Sequence, residues 1–230
     1  MTERRRQKLL TAWRYLLALP RSIWFNHRQL PWLQARRLPL LISHRTVVES
    51  FSGTLVIANP KPKMGALKLG FSTYQQTDFR HDRTRLNIRG TLIVNGESDC
   101  GAGACISVAE GAVLTLGHNS HIGPKDLVVC HRAITLGDSA RISWCCTLMD
   151  TDQHHLVTLD GTVCNPDAPI VIGRNVWVGC HAIVAKGTQL ADDTTIGAGS
   201  IVHGLHTEPC TVLSGNPAKV VKSGVRRGNG

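Results

Sequence analysis

From Ile172 onward an aliphatic residue recurs at every sixth position: Ile172, Val178, Val184, Leu190, Ile196 and Val202. Most are followed by a small residue, as in Ile172-Gly173, Val178-Gly179, Val184-Ala185, Leu190-Ala191 and Ile196-Gly197. The same phase holds upstream at Leu136-Gly137, Ile142 and Leu148, and again at Ile88, Val94 and Ile106, with a shifted copy at Leu116-Gly117, Ile122-Gly123 and Val128. Six is neither the 3.6 of a helix nor the 2 of a half-exposed strand. It fits a coil of triangular cross-section in which each side is a short strand carrying one inward aliphatic residue. Small residues bend the chain at the corners, where Asn, Asp and Gly tolerate positive φ. Stacked coils pair as parallel sheets, each burying the face its neighbour exposes. The pattern therefore predicts an all-β repeat fold over residues 46–222.

Two stretches leave the period. Residues 150–169 (DTDQHHLVTLDGTVCNPDAP) form a polar, proline-containing excursion that returns in phase, since Leu148 and Ile172 are a multiple of six apart. Loops of this kind on a rigid scaffold are where chemistry concentrates. The other is the start of the chain, residues 1–45, where Leu9, Leu10, Trp13, Leu16 and Leu17 match the apolar face of a helix. Residues 223–230 read as a flexible tail.

Composition sharpens this division. Aromatic residues make up 5% of the chain and glycine is frequent, so Val, Ile, Leu and small residues must fill the core. The net charge is +10, and the first 45 residues hold nearly all of it, with Arg4, Arg5, Arg6, Lys8, Arg14, Arg21, Arg28, Arg36, Arg37 and Arg45 opposed by Glu3 alone. Arg14 and Pro20 interrupt the apolar run and no small-residue cleavage site follows, which argues against a secretory signal. No stretch of 18 or more uncharged apolar residues occurs, so no membrane span is expected and the chain reads as cytoplasmic. The eight cysteines, with no CxxC pair, read as reduced thiols, and the adjacent Cys145 and Cys146 as small hydrophobes on a strand. The basic, Trp-containing start lacks any nucleic-acid module. It suits either peripheral contact with an anionic membrane or a cap over the open end of the coil.

The stretches ISWCCTLMDTDQH (142–154), PIVIGRNVWVGCHAIVAKGTQL (169–190), IGAGSIV (196–202) and SGNPAKVVK (214–222) resemble the hexapeptide-repeat acyltransferases. The likeness is strongest to the O-acetyltransferases of bacterial polysaccharides and sugars. It implies a left-handed parallel β-helix, a crossover hand opposite to the usual one. It also implies acetyl transfer from acetyl-CoA to a sugar or glycan hydroxyl, without a metal, in a homotrimer whose sites lie between subunits. In such enzymes the histidine closing D-x-D-x-H is the general base, which falls here on His154, with Asp150 and Asp152 expected to orient its ring and His155 as the neighbouring candidate, also expected to help bind the acceptor. A free imidazole titrates near ~6.5, so this side chain can take a hydroxyl proton at neutral pH and return it to a leaving thiolate. The resemblance places Trp177 against the acceptor, Cys180 and Ala198 along the pantetheine arm, and Lys219 and Lys222 on the CoA phosphates. Val202-His203-Gly204 stands where relatives continue into a Thr-Lys pair, so those contacts are missing. A γ-class carbonic anhydrase would need an H-x4-H pair, and none of the eleven histidines are so spaced. A nucleotidyltransferase would need a glycine-rich domain that the first segment cannot hold. The remaining alternative is an inactive scaffold.

Overall fold

The computed structural model describes residues 3–74 and 77–228, with the side chains of residues 3–8 outside the described set. The basic side chains of Arg4, Arg5, Arg6 and Lys8 therefore lie outside it. Twenty-three short strands follow a long first helix, and every third strand joins the same sheet. The chain thus winds around three walls, one sheet of nine strands (sheet A) and two of seven (sheets B and C), with parallel pairing throughout the coil. The last strand, Ala218–Ser223, reverses and pairs antiparallel with Thr211–Gly215.

The repeat becomes three columns of stacked side chains. In sheet A the column runs Ile42, Leu69, Cys100, Ile122, Ile142, Val178, Ile196, Leu213 through successive registers, and all eight are buried. Each fully buried aliphatic side chain contributes roughly 1.5–3 kcal/mol, so the column is the main source of cohesion between coils. One inward residue per side holds for the C-terminal coils, where Ile172 stacks on Leu190, Val178 on Ile196 and Val184 on Val202, a step of 18. The earlier coils are wider. There Leu116 stacks on Leu136 after 20 residues and Val94 on Leu116 after 22, and four-residue strands bury two residues per side, such as Leu92 with Val94. The shifted phase in the sequence marks this change of circumference.

Corner residues adopt the left-handed conformation in vertical files. Asn119, Ser139, Asn175 and Asp193, at φ 54–60°, form one file. Each donates its N–H to a carbonyl of the coil beneath, at 2.5–2.8 Å, which offsets a backbone strain of about 1 kcal/mol or more per residue. Cys145, expected on a strand, occupies such a corner at φ 57°. Its neighbour Cys146 points inward and is buried, its thiol pushed up to about 12 by desolvation.

The coil begins at Leu40–Ile42, earlier than residue 46, because this strand already pairs with Leu67–Ser72. Before it lie α1 (Glu3–Gln29), continuous through Pro20, and the short α2 (Trp32–Ala35). Together they close the open end of the coil. Asn26 Nδ2 donates to Leu40 O at 2.7 Å while its Oδ1 accepts from Leu40 N at 3.1 Å, and Ile42 N donates to Ser22 Oγ at 3.0 Å. Gln29 donates to Phe51 O at 2.8 Å, and Gln34 to Ile57 O and Asn59 O at 3.0 Å. The outermost strand of each of the three sheets thus receives side-chain partners for backbone groups that no further coil can satisfy. The C-terminal segment is also docked: the Arg227 guanidinium donates to Ser139 O at 2.7 Å and Asn175 Oδ1 at 2.6 Å.

Candidate active site

The excursion 150–169 leaves the coil after the sheet B strand Thr147–Met149 and rejoins it at Ile170–Ile172 in sheet C. Its root is Asp150, which has no exposed surface. The carboxylate accepts the backbone N–H groups of His131 at 2.7 Å and of Arg132 and Ala133 at 2.8 Å, and its carbonyl accepts Ala168 N at 3.1 Å. Asp150, expected to orient an imidazole, is therefore committed inward, and ties both ends of the loop to the preceding coil. Beside it, burial and then the Asp150 charge push the Cys130 thiol up to about 12.

Asp152 faces outward and holds the loop to the next coil. Its Oδ2 accepts Lys186 Nζ at 2.6 Å and Asn165 Nδ2 at 2.8 Å, and the lysine's hydrogen bond, followed by that of the amide, holds its carboxyl below the usual range. Asn165 also donates to His154 O at 2.9 Å, accepts Leu156 N at 2.5 Å, and passes Lys186 Nζ its own carbonyl at 2.7 Å. Arg132 reaches Asp167 O at 3.1 Å. Sequence reading singled out none of Asn165, Lys186 and Arg132. The residue pairs they form are 9 to 35 positions apart, and only the fold shows them as neighbours. Gln153, at φ 60°, turns the chain so that His154 and His155 both stand in solvent at the loop's leading edge. The loop then closes as a small hairpin through a Val157–Val163 bridge.

The other expected residues sit elsewhere on the prism. Trp177 lies in sheet A, 43% exposed, its indole N–H donating to Ser143 Oγ at 3.0 Å. Cys180 and Ala198 stack one coil apart on the corner between sheets A and B, with Gly199 N bonded to Cys180 O at 2.9 Å. A Cβ on Gly179 would stand 2.7 Å from Ala198 N, so glycine is required for these coils to close up. Lys219 and Lys222 are exposed on the antiparallel sheet A strand, three strand spacings or about 14 Å from Trp177. The histidine loop leaves from the corner between sheets B and C, a wall of about 15 Å away. One chain thus groups Trp177, Cys180, Ala198 and the two lysines on one side and His154 with Asp152 on another. Among the described residues no group of three His, Cys, Asp or Glu is placed to hold a metal.

Residues 169–204 match the family model of the bacterial transferase hexapeptide (six repeats). These residues carry the six-residue repeat that the family model describes. The hexapeptide coil extends beyond them, and over 82% of this chain and 83% of the other it superposes on the polySia-specific acetyltransferase NeuO with a TM-score of 0.54 at 21% identity. The fold is accordingly the left-handed parallel β-helix. In sequence the chain is 32% identical over 114 residues to the galactoside O-acetyltransferase of Escherichia coli K12, covering 49% of this chain and 55% of that protein. It is 27% identical over 140 residues to a 24.8 kDa protein in the cps region of Klebsiella pneumoniae, covering 61% of this chain and 62% of the relative. The matches therefore span little more than half the length of these relatives.

Proposed function

We propose that the chain is an O-acetyltransferase that moves acetyl from acetyl-CoA to a hydroxyl of a sugar or glycan, with His154 as general base. The observation that carries this reading is the construction of the 150–169 loop. A buried Asp150 anchors its root, Asp152, Asn165 and Lys186 brace its outer arm, and the product of this bracing is an exposed imidazole on a rigid support. Such pre-positioning is what proton transfer in a short-lived complex needs.

In this reaction the acceptor hydroxyl oxygen attacks the thioester carbonyl while His154 removes its proton. The tetrahedral oxyanion collapses, the C–S bond breaks, and the imidazolium returns the proton to the CoA thiolate. Asp152 acts as a positioning residue through the loop backbone. The donor lies along Cys180 and Ala198, with its phosphates on Lys219 and Lys222 and the acceptor against Trp177. Since one chain puts this surface and the His154 loop on different sides of the prism, a neighbouring copy supplies the second half, which supports a homotrimer with shared sites. His155 borders the acceptor.

The test is acetyl-CoA turnover, followed by thiol release across a panel of sugar acceptors. His154→Ala is expected to lower kcat by roughly 10²-fold or more, with the fold intact and His155→Ala much less affected. Full activity in His154→Ala, with His155→Ala inactive, would move the base by one residue.

A further inference from the structure

The face that α1 turns to the coil is small and polar except for Phe25, which packs on Phe51: Ala18, Ser22 and Asn26 have no exposed surface. The opposite face is apolar and open to solvent, with Leu9, Trp13, Leu16, Leu17, Ile23 and Trp24 between 40% and 58% exposed. At about 100° per residue these positions gather into a single stripe diametrically across from Ala18. A helix on a soluble domain ordinarily shows the reverse, its apolar stripe packed inward.

Arg14, Arg21 and Arg28 recur every seventh residue, close to two turns, and so run as a line along one border of the stripe. Arg14 lies 3.7 Å over the Phe79 ring, Arg21 donates to Thr46 O, and Arg28 lies 5.0 Å from the Trp24 ring centroid. On this border α1 and the strand Val47–Phe51 enclose a groove of about 340 Å³ lined by Arg21, Trp24, Phe25 and Arg28 together with Glu49. Glu49 is engaged by Arg85 at 3.0 Å.

We propose that α1 lies in the headgroup layer of an anionic phospholipid bilayer, its Leu and Trp stripe in the acyl boundary and its arginine line on the lipid phosphates. Guanidinium groups pair with phosphate oxygens in forked geometry, and indoles favour the boundary between headgroup and chain. The aliphatic stems of the arginines let the stripe sink while the charges stay at phosphate depth. Charge selects the occupant. A second copy would bring the same arginine line against its own like, whereas an anionic surface complements it and the +9 that the first 45 residues carry. The helix lies on the surface, because no helix among the described residues is long and apolar enough to cross a membrane. This placement suits an acceptor carried on lipid, a consequence that rests on the transferase reading; the docking itself does not.

Full-length protein is floated with phosphatidylcholine vesicles, with and without phosphatidylglycerol, at about 0.1 M and about 0.5 M salt. Because α1 also caps the coil, the test uses substitutions at solvent-facing positions in place of truncation: Trp13→Ser with Leu17→Ser and Trp24→Ser, and separately Arg28→Glu. Binding only to the phosphatidylglycerol vesicles, weakened by salt and lowered about tenfold or more in both variants with circular dichroism unchanged, is the expected result. Equal flotation of wild type and the triple variant overturns the proposal. So does a wild type that ignores anionic vesicles, including the case where the triple variant alone loses mass by light scattering, which makes the stripe a contact between protein chains.

Discussion

Replacing Asn165 with alanine isolates the role of loop bracing from that of the imidazole. The side-chain amide supplies three bonds, to Asp152 Oδ2, His154 O and Leu156 N. All lie in solvent, so each is worth the low end of the usual range, about 0.5 kcal/mol, and their joint loss costs about 1.5 kcal/mol of loop order. Since 1.36 kcal/mol is tenfold in an equilibrium or a rate, the braced conformer becomes about tenfold less favoured. The coil beneath is untouched, because Asp150 keeps its three backbone donors. Asn165→Ala is therefore expected to speed amide exchange over residues 152–165 and lower kcat/KM for acetyl transfer by about tenfold, with Tm unchanged within about 2 °C. Wild-type kcat/KM alongside faster loop exchange would refute the claim that the brace positions the base.

Lys219→Ala combined with Lys222→Ala is expected to raise KM for acetyl-CoA more than for the acceptor, as contacts remote from the thioester supply binding; an unchanged KM with a damaged kcat would assign them another role. Asp126, buried under Gly123 N and Cys146 N, has its carboxyl raised from 3.8 to about 8 by desolvation. The folded chain keeps that proton where the unfolded chain has lost it, so stability falls as pH rises from about 4 to about 8 and then levels. Asp126→Asn should flatten this slope in urea unfolding at several pH values. Asn26→Ala orphans the buried N–H and C=O of Leu40 at about 1–3 kcal/mol each, so the urea midpoint should drop by a stability loss of about 2–6 kcal/mol.

The hexapeptide period was legible because each inward residue of the last coils falls one coil above an equivalent one, as Val178 does under Ile196. Periodicity blurred where strands lengthened to four residues and two side chains per wall turned inward, as at Leu114 and Leu116. The D-x-D-x-H pattern located the loop, yet it merged two carboxylates whose surroundings differ. Alternation carries Leu148 and then Asp150 into the coil, where three amides hold the carboxylate, but the strand ends at Met149 and the turn that follows sends Asp152 outward to Lys186. Spacing alone carries no sign of which side of the wall a residue faces once the strand has ended.

The N-terminal helix was the hardest element to read, for a reason rooted in what it covers. The first coil of a β-helix ends in strand edges whose N–H and C=O groups point along the axis, so the element that closes it must present donors and acceptors. Ser22, Asn26, Gln29 and Gln34 are those groups, reaching 14 to 25 residues along the chain to Leu40, Ile42, Phe51, Ile57 and Asn59. Apart from Phe25, which packs on Phe51, the inner face is spent on small residues and polar capping, and the large apolar residues Trp13, Leu16 and Trp24 stand on the outer face in solvent. An apolar stripe in a sequence is ordinarily taken as the side that packs on the core. Here the core end is a row of peptide groups, so the same stripe faces away, toward a surface beyond the chain itself.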